Sequence, residues 1–150
     1  MDAGHLAARF ASSASRHADL PATRVAAGEG WTVRTYRELA ADVRRLAARM
    51  IELGLEPGDR VAIFSPNLPE WTLTDLACAS AGLVSVPLYD TSTADQARHI
   101  LAESGCRMIF VGGDEELAKV ADVRAELPAV ERVVSFGGLS HTDGASTLAE

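Results

Sequence analysis

The sequence predicts an α/β protein built on a doubly wound, mainly parallel sheet with flanking helices. Three observations carry this. Four short runs, Arg60 to Ser65, Val84 to Tyr89, Met108 to Val111 and Arg132 to Phe136, are apolar, rich in β-branched residues and too brief to prefer helix. The segments between them show helical periodicity, with capping residues at their starts and glycines at several of their ends. Strand and helix then alternate, which is the order of a parallel sheet wound by right-handed crossovers.

Taken in order, Leu6, Phe10 and Ala14 share one face of an N-terminal helix. Thr23 to Tyr36 reads as two short extended pieces around Gly28-Glu29-Gly30. Thr35 and Glu38 make a capping box, in which each side chain satisfies the other's backbone donor. Leu39, Val43, Leu46, Met50 and Leu53 then form an apolar stripe, and Gly54 ends the helix. Pro57-Gly58-Asp59 turns into the first core strand, expected to be buried on both faces. Asn67 and Glu70 are expected to cap the next helix, whose apolar positions are Leu68, Trp71, Leu76 and Ala79, ending near Gly82. Ser92, Thr93 and Gln96 announce a helix stopped by Gly105, and Asp114 is expected to cap one bearing Leu117, Val120 and Leu127. The tail GGLSHTDGASTLAE has little apolar content, so it reads as a loop with no closing strand. The expected organisation is residues 1–34 as helix and short strands, 35–136 as the wound subdomain and 137–150 as the tail.

Composition narrows the function classes. At 150 residues the chain is about one domain, and 47% apolar with 23% charged residues is a soluble globular composition. Arg, Asp, Glu or Pro interrupts every apolar stretch before the roughly 20 residues that a membrane helix needs. The opening residues carry neither a basic leader nor a long apolar run, so a cytoplasmic protein is expected. Cys78 and Cys106 sit in apolar segments without a CxxC pair or a His at ligand spacing, and read as buried structural thiols. The net charge of −7 is uneven, with nine basic and ten acidic residues in 1–75 against five and eleven in 76–150. Tyr89, Phe110 and Phe136 are well separated in that acidic half, which argues against nucleic acid as a partner.

Two strings are more specific. GDRVAIFSPNLPEW (residues 58–71) and ACASAGLVSVPLYDTST (residues 77–93), with Thr35-Tyr36-x-Glu38-Leu39 upstream, resemble the N-terminal subdomain of the AMP-binding, adenylate-forming superfamily. Pro87-Leu88-Tyr89 running into Thr91-Ser92-Thr93 is most similar to the long-chain fatty acyl-CoA synthetases within it. The resemblance implies an acid–thiol ligase that adenylates a fatty acid with ATP and Mg2+ and passes the acyl group to CoA. It also implies that the remaining C-terminal portion of such a synthetase is a partner, and that the full-length enzyme could be peripheral to a membrane. The family's phosphate loop, Ser/Thr-Gly-Thr-Thr-Gly-x-Pro-Lys, has no counterpart in this sequence. Its later acidic, Arg and Lys motifs have none either. No catalytic, cofactor-binding or metal-binding residue is therefore assigned, and the isolated chain is expected to be an inactive N-terminal fragment. A second reading is a stand-alone, non-catalytic interaction module derived from the family.

Several residues invite a functional reading of their own. Asn67, Glu70 and Trp71 follow a strand's carboxyl end, where wound sheets place ligands, but capping and core packing explain the same spacing. Tyr89 and Asp90 stand at another strand end. A receiver-type phosphoacceptor would want an acidic pair and a lysine at neighbouring ends, so they are taken as scaffold. Gly112-Gly113 lacks the flanking glycines or lysine of a phosphate loop, and Asp114-Glu115-Glu116 would repel phosphate. Lys119, the single lysine, lies on an amphipathic helix. His5, His17, His99 and His141 share no spacing that suggests a metal or acid–base role.

Overall fold

A computed structural model describes residues 5–137 and the strand Ala145–Thr147. His141 and most of the tail lie outside the described residues. Helix α1 (Leu6–Arg16) leads into an antiparallel hairpin, β1 (Pro21–Ala27) and β2 (Gly30–Thr35), followed by α2 (Tyr36–Glu52). The wound region comprises β3 (Arg60–Phe64), α3 (Pro69–Ala81), β4 (Val84–Leu88), α4 (Ala94–Ser104), β5 (Met108–Val111), α5 (Asp114–Val123), β6 (Arg132–Ser135) and β7 (Ala145–Thr147). These last five strands form one parallel sheet in the order β4-β3-β5-β6-β7.

Side-chain alternation on the strands sorts the core into two layers. Val61, Met108 and Phe110 face α2 and α3, whose Leu39, Val43, Met50 and Leu73 close that side. Ala62, Phe64, Ile109 and Val111 face α4 and α5, meeting Leu101, Leu117 and Val120. Phe64 and Phe110 are among the largest fully buried side chains, each worth about 1.5–3 kcal/mol of burial. β4 is an edge strand, and its Pro87 sits where a missing N–H costs no ladder bond. At the amino ends of the strands, Arg107 donates to Glu131 Oε1 at 2.8 Å, to Asp59 Oδ2 at 2.5 Å and to the Gly54 carbonyl at 3.2 Å. That clasp ties together the segments entering β3, β5 and β6. Nearby, Arg60 donates to the carbonyls of Ser104 at 2.9 Å and Gly105 at 3.1 Å, satisfying the end of α4.

Both predicted capping boxes form, Thr35 with Glu38 on α2 and Thr93 with Gln96 on α4. Gly82 and Gly105 end their helices in the left-handed conformation, and Gly54 takes a positive φ just past α2.

Several expectations are corrected. Asn67 and Glu70 do not cap α3. Its N-cap is Leu68, held extended because Pro69 follows, and Pro69 takes the first helical position where its missing N–H is harmless. The buried face of α3 is Leu73, Leu76, Ala77, Cys78 and Ala81, while Leu68, Trp71 and Ala79 are only partly covered. Glu70, Thr72, Thr74, Asp75 and Ser80 are spread among its apolar residues rather than gathered on one face, so periodicity alone could not orient it. Asp114 is the first residue of α5 rather than its cap. Gly113 holds the cap position, and the acid acts on the helix dipole. Leu127 is buried but lies past α5, after a 3₁₀ turn at Arg124–Glu126. The tail does contain a strand, β7, paired to β6 from Val133↔Ala145 to Ser135↔Thr147. Ala-Ser-Thr carries no strand signal of its own; the open edge of β6 supplies the pairing. On α1, Ala14 is buried and Phe10 half-buried as expected, but Leu6 is exposed.

Candidate functional site

In a parallel sheet of this winding, the crevice for ligands opens where successive connections leave in opposite directions. Here β3 connects through α3 to β4 on one side, while β5 connects through α5 to β6 on the other, so that point lies between the carboxyl ends of β3 and β5. It is filled by the chain itself. A Cβ placed on Gly112 would lie 2.5 Å from Ser65 Oγ and 2.7 Å from Pro66 Cδ, so the loops after β3 and β5 are in direct contact. Ser65 is buried and donates to the Pro66 carbonyl at 2.8 Å.

The opening sits one strand further out. A cavity of about 480 Å³ lies at the carboxyl ends of β3 and β4, lined by Ser65, Pro66, Asn67, Trp71, Pro87, Leu88, Tyr89 and Asp90. Two loops distant in sequence thus bring Asn67 and Trp71 together with Tyr89 and Asp90. Trp71 is half-buried at the wall and Tyr89 is 84% exposed at the rim. Asp90 is fixed from two directions: its carboxylate accepts from the Thr91 N–H at 2.9 Å, and its carbonyl accepts from Lys119 Nζ at 2.8 Å. Lys119 also pairs with Glu115 at 2.8 Å and lies 5.6 Å from the centre of the Phe64 ring. The lysine therefore pins the β4–α4 loop onto α5, and that pairing lowers the Glu115 pKa.

The chemistry of these groups does not suit a nucleotide phosphate. The only charged residue lining the cavity is the acid Asp90. Gly112-Gly113 is pressed against Ser65-Pro66, and α5 opens with Asp114, Glu115 and the buried Glu116, which oppose an anion at that helix end. Burial pushes the Cys78 thiol up to about 12 and raises that of Cys106, so neither is a nucleophile in the folded chain. Cys106 Sγ lies 3.1 Å from Ser104 Oγ, and both cysteines are free. His5 caps α1 by accepting from the Ala8 N–H at 3.3 Å, and the His17 ring lies 6.4 Å from that of Tyr36. Among the described residues no three His, Cys, Asp or Glu side chains converge on a point that could hold a metal. Nor is any described helix long and apolar enough to cross a membrane.

Comparison with known proteins places this geometry. The chain is 38% identical over 108 residues to the long-chain-fatty-acid–CoA ligase FadD15 of Mycobacterium tuberculosis strain H37Rv, a match covering 72% of this chain and 18% of that protein. It is 43% identical over 103 residues to the methyl-dioxo-octahydroindenyl-propanoyl:CoA ligase of the same organism, covering 67% and 20%. Among solved structures, acetoacetyl-CoA synthetase from Streptomyces lividans superposes with a TM-score of 0.81 at 27% identity, over 95% of this chain and 24% of that one. The chain thus spans about a fifth of the length of the curated relatives it matches. Residues 10–149 match the AMP-binding enzyme family, and with the wound sheet and the PNLPEW and VPLYDTST segments in place, the chain belongs to that family.

Proposed function

We propose that this sequence is the opening portion of a long-chain fatty acyl-CoA ligase, whose activity belongs to the assembled enzyme. The observation that carries this is the 38% identity over 108 residues to a long-chain-fatty-acid–CoA ligase, within a family match over residues 10–149. In that reaction the acid's carboxylate oxygen attacks the α-phosphorus of ATP and releases pyrophosphate; the CoA sulfur then takes the acyl carbon and AMP leaves. Magnesium would screen the phosphates. None of the catalytic, cofactor-binding or metal-binding residues is assigned to residues 1–150, which lack the phosphate loop. In this reading residues 1–34 form an N-terminal segment and residues 35–136 the wound subdomain, whose sheet continues through β7 into the tail of residues 137–150. The chain's partner is the rest of the synthetase polypeptide, in the cytoplasm and peripheral to a membrane. Relatives that are ligases favour this over a stand-alone interaction module.

The test is acyl-CoA formation by the native polypeptide that carries this sequence, purified from its source cells and offered acetate, octanoate, palmitate and the bicyclic propanoate. Palmitate is expected to give the highest kcat/KM. A preference for acetate or the bicyclic acid would sink the long-chain assignment, and thioester formation by the 150-residue chain alone would sink the assignment of catalysis elsewhere.

A further inference from the structure

Among the described residues, large apolar side chains exposed on the surface include Leu6, Leu20, Val25, Trp31 and Val33, and three of these are on the β1–β2 hairpin. Trp31 is 67% and Val33 45% exposed. The register pairs Val25 with Thr32, Arg24 with Val33 and Ala26 with Trp31. Arg24, Ala26, Trp31 and Val33 therefore share one face, and Val25, Thr32 and Arg34 the other. The turn is two residues, Gly28-Glu29, with positive φ at Gly28 and not at Glu29, the arrangement of a type II′ turn. Ala27 and Gly30 then form the hydrogen-bonded pair that closes it, so bonded pairs recur at Val25–Thr32 and Thr23–Arg34. It follows that the backbone N–H and C=O of Trp31 and Val33 point away from β1.

Among the described residues, this outer edge of β2 has none of the usual protection. It carries no Pro or Lys, and its one charge, Arg34, is drawn to Asp42 of α2 at 2.9 Å. By contrast β4, one of the two edges of the main sheet, is blunted by Pro87. A two-stranded hairpin is at best marginal alone and needs a third strand or a covering layer. The chain spans only 18% of the mycobacterial long-chain ligase, so in the enzyme proposed above most of the polypeptide lies outside it.

We propose that the outer edge of β2, at Trp31 and Val33, accepts a third β-strand from the polypeptide that completes the AMP-binding enzyme. The docking strand pairs with the four outward backbone groups of these two residues and sets alternate apolar side chains beside Trp31 and Val33. This rests on the ligase reading for the identity of the partner, and on the hairpin geometry for the place.

The test fuses residues 1–150 to the portion of the mycobacterial long-chain ligase that follows its matched segment, and compares amide hydrogen exchange with that of the isolated chain. Trp31 and Val33 amides are expected to exchange near the free rate in the isolated chain and about a thousandfold more slowly in the fusion. Equal rates in a fusion whose sheet amides are protected overturn the proposal. So does protection that appears in the isolated chain as its concentration rises, because the occupant is then a second copy. Palmitoyl-CoA formation is read separately, on the native polypeptide that carries this sequence: its absence removes the ligase reading and leaves protection in the fusion standing, and unprotected Trp31 and Val33 amides beside native activity do the reverse. A Trp31→Lys/Val33→Lys double variant of the isolated chain gives an independent check if the fusion does not fold. Its Tm should stay within about 2 °C of the parent, because the replaced side chains bury little, and a fall beyond about 5 °C would show that the edge is already used within the chain.

Discussion

Replacing Gly112 by Ala tests the closure of the crevice between β3 and β5. The φ of Gly112 is outside the left-handed region, so any cost comes from contact alone. The new methyl would lie 2.5 Å from Ser65 Oγ, 2.7 Å from Pro66 Cδ and 2.9 Å from Ser65 Cβ. These are about 1 Å inside an ordinary contact, and neither neighbour yields easily: one is a rigid ring, the other buried. Overpacking of this kind costs about 1–3 kcal/mol. Displacing Ser65 also breaks its bond to the Pro66 carbonyl, about 1 kcal/mol more, and the stiffer unfolded chain returns about 0.4–1 kcal/mol. The net loss is about 1–4 kcal/mol, centred near 2, or about 4–8 °C in Tm at that centre for a chain of this size. Urea unfolding followed by Trp71 fluorescence in a Trp31→Phe background measures it. Adding Ser65→Gly removes two of the three clashing atoms and should recover about half the loss of Gly112→Ala. A Gly112→Ala loss under about 1 kcal/mol, or no recovery with Ser65→Gly, would show that the two loops part freely and that the crevice is not closed.

The other predictions concern groups away from that contact. Thr74 is fully buried on α3 and its hydroxyl has no partner among the described residues, so Thr74→Val should be neutral or stabilise by up to about 2 kcal/mol in urea melts, and a loss above about 1 kcal/mol would reveal a hidden partner. Asp59 and Glu131 have lowered pKa values, Asp59 chiefly from the Glu56 N–H and then Arg107, Glu131 chiefly from Arg107. A depressed carboxylate contributes stability that is present above its unfolded value of about 4 and lost as pH falls through the native value, so Tm should drop below about pH 4. Arg107→Gln should flatten that drop while lowering Tm at pH 7, and an unchanged acid limb would contradict the clasp. With Cys78 pushed up to about 12 and both thiols buried, a thiol reagent at pH 8 should label neither in the folded chain and both in urea. Rapid labelling of the native protein would mean that α3 or the α4–β5 turn opens readily.

What depends on neighbours along the chain is legible in the order of residues. Thr35 with Glu38 and Thr93 with Gln96 bond across three residues, and Gly82 and Gly105 take left-handed φ at the ends of their own helices. Strands such as Met108–Val111, buried on both faces, announce themselves as unbroken apolar runs. Local reading failed where a tertiary partner outweighed local preference. α3, whose polar and apolar residues mix around its circumference, was oriented by α2 and the sheet, which left Trp71 at the wall of a cavity; its cap at Leu68 rather than Asn67 is the exception, a local effect of Pro69. β7 exists because β6 offers an unpaired edge, not because Ala-Ser-Thr favours extension. The candidate site was half legible: Asn67, Trp71, Tyr89 and Asp90 stand out as strand-end residues, but only the parallel pairing of β3 and β4 makes them face one another. Asp90 held by Lys119 across 29 residues, Arg107 reaching Asp59 across 48, and Gly112 seated on Ser65 are contacts that chain spacing does not encode. Short-range hydrogen bonds leave a pattern in the order of residues; packing between distant segments leaves its record only in three dimensions.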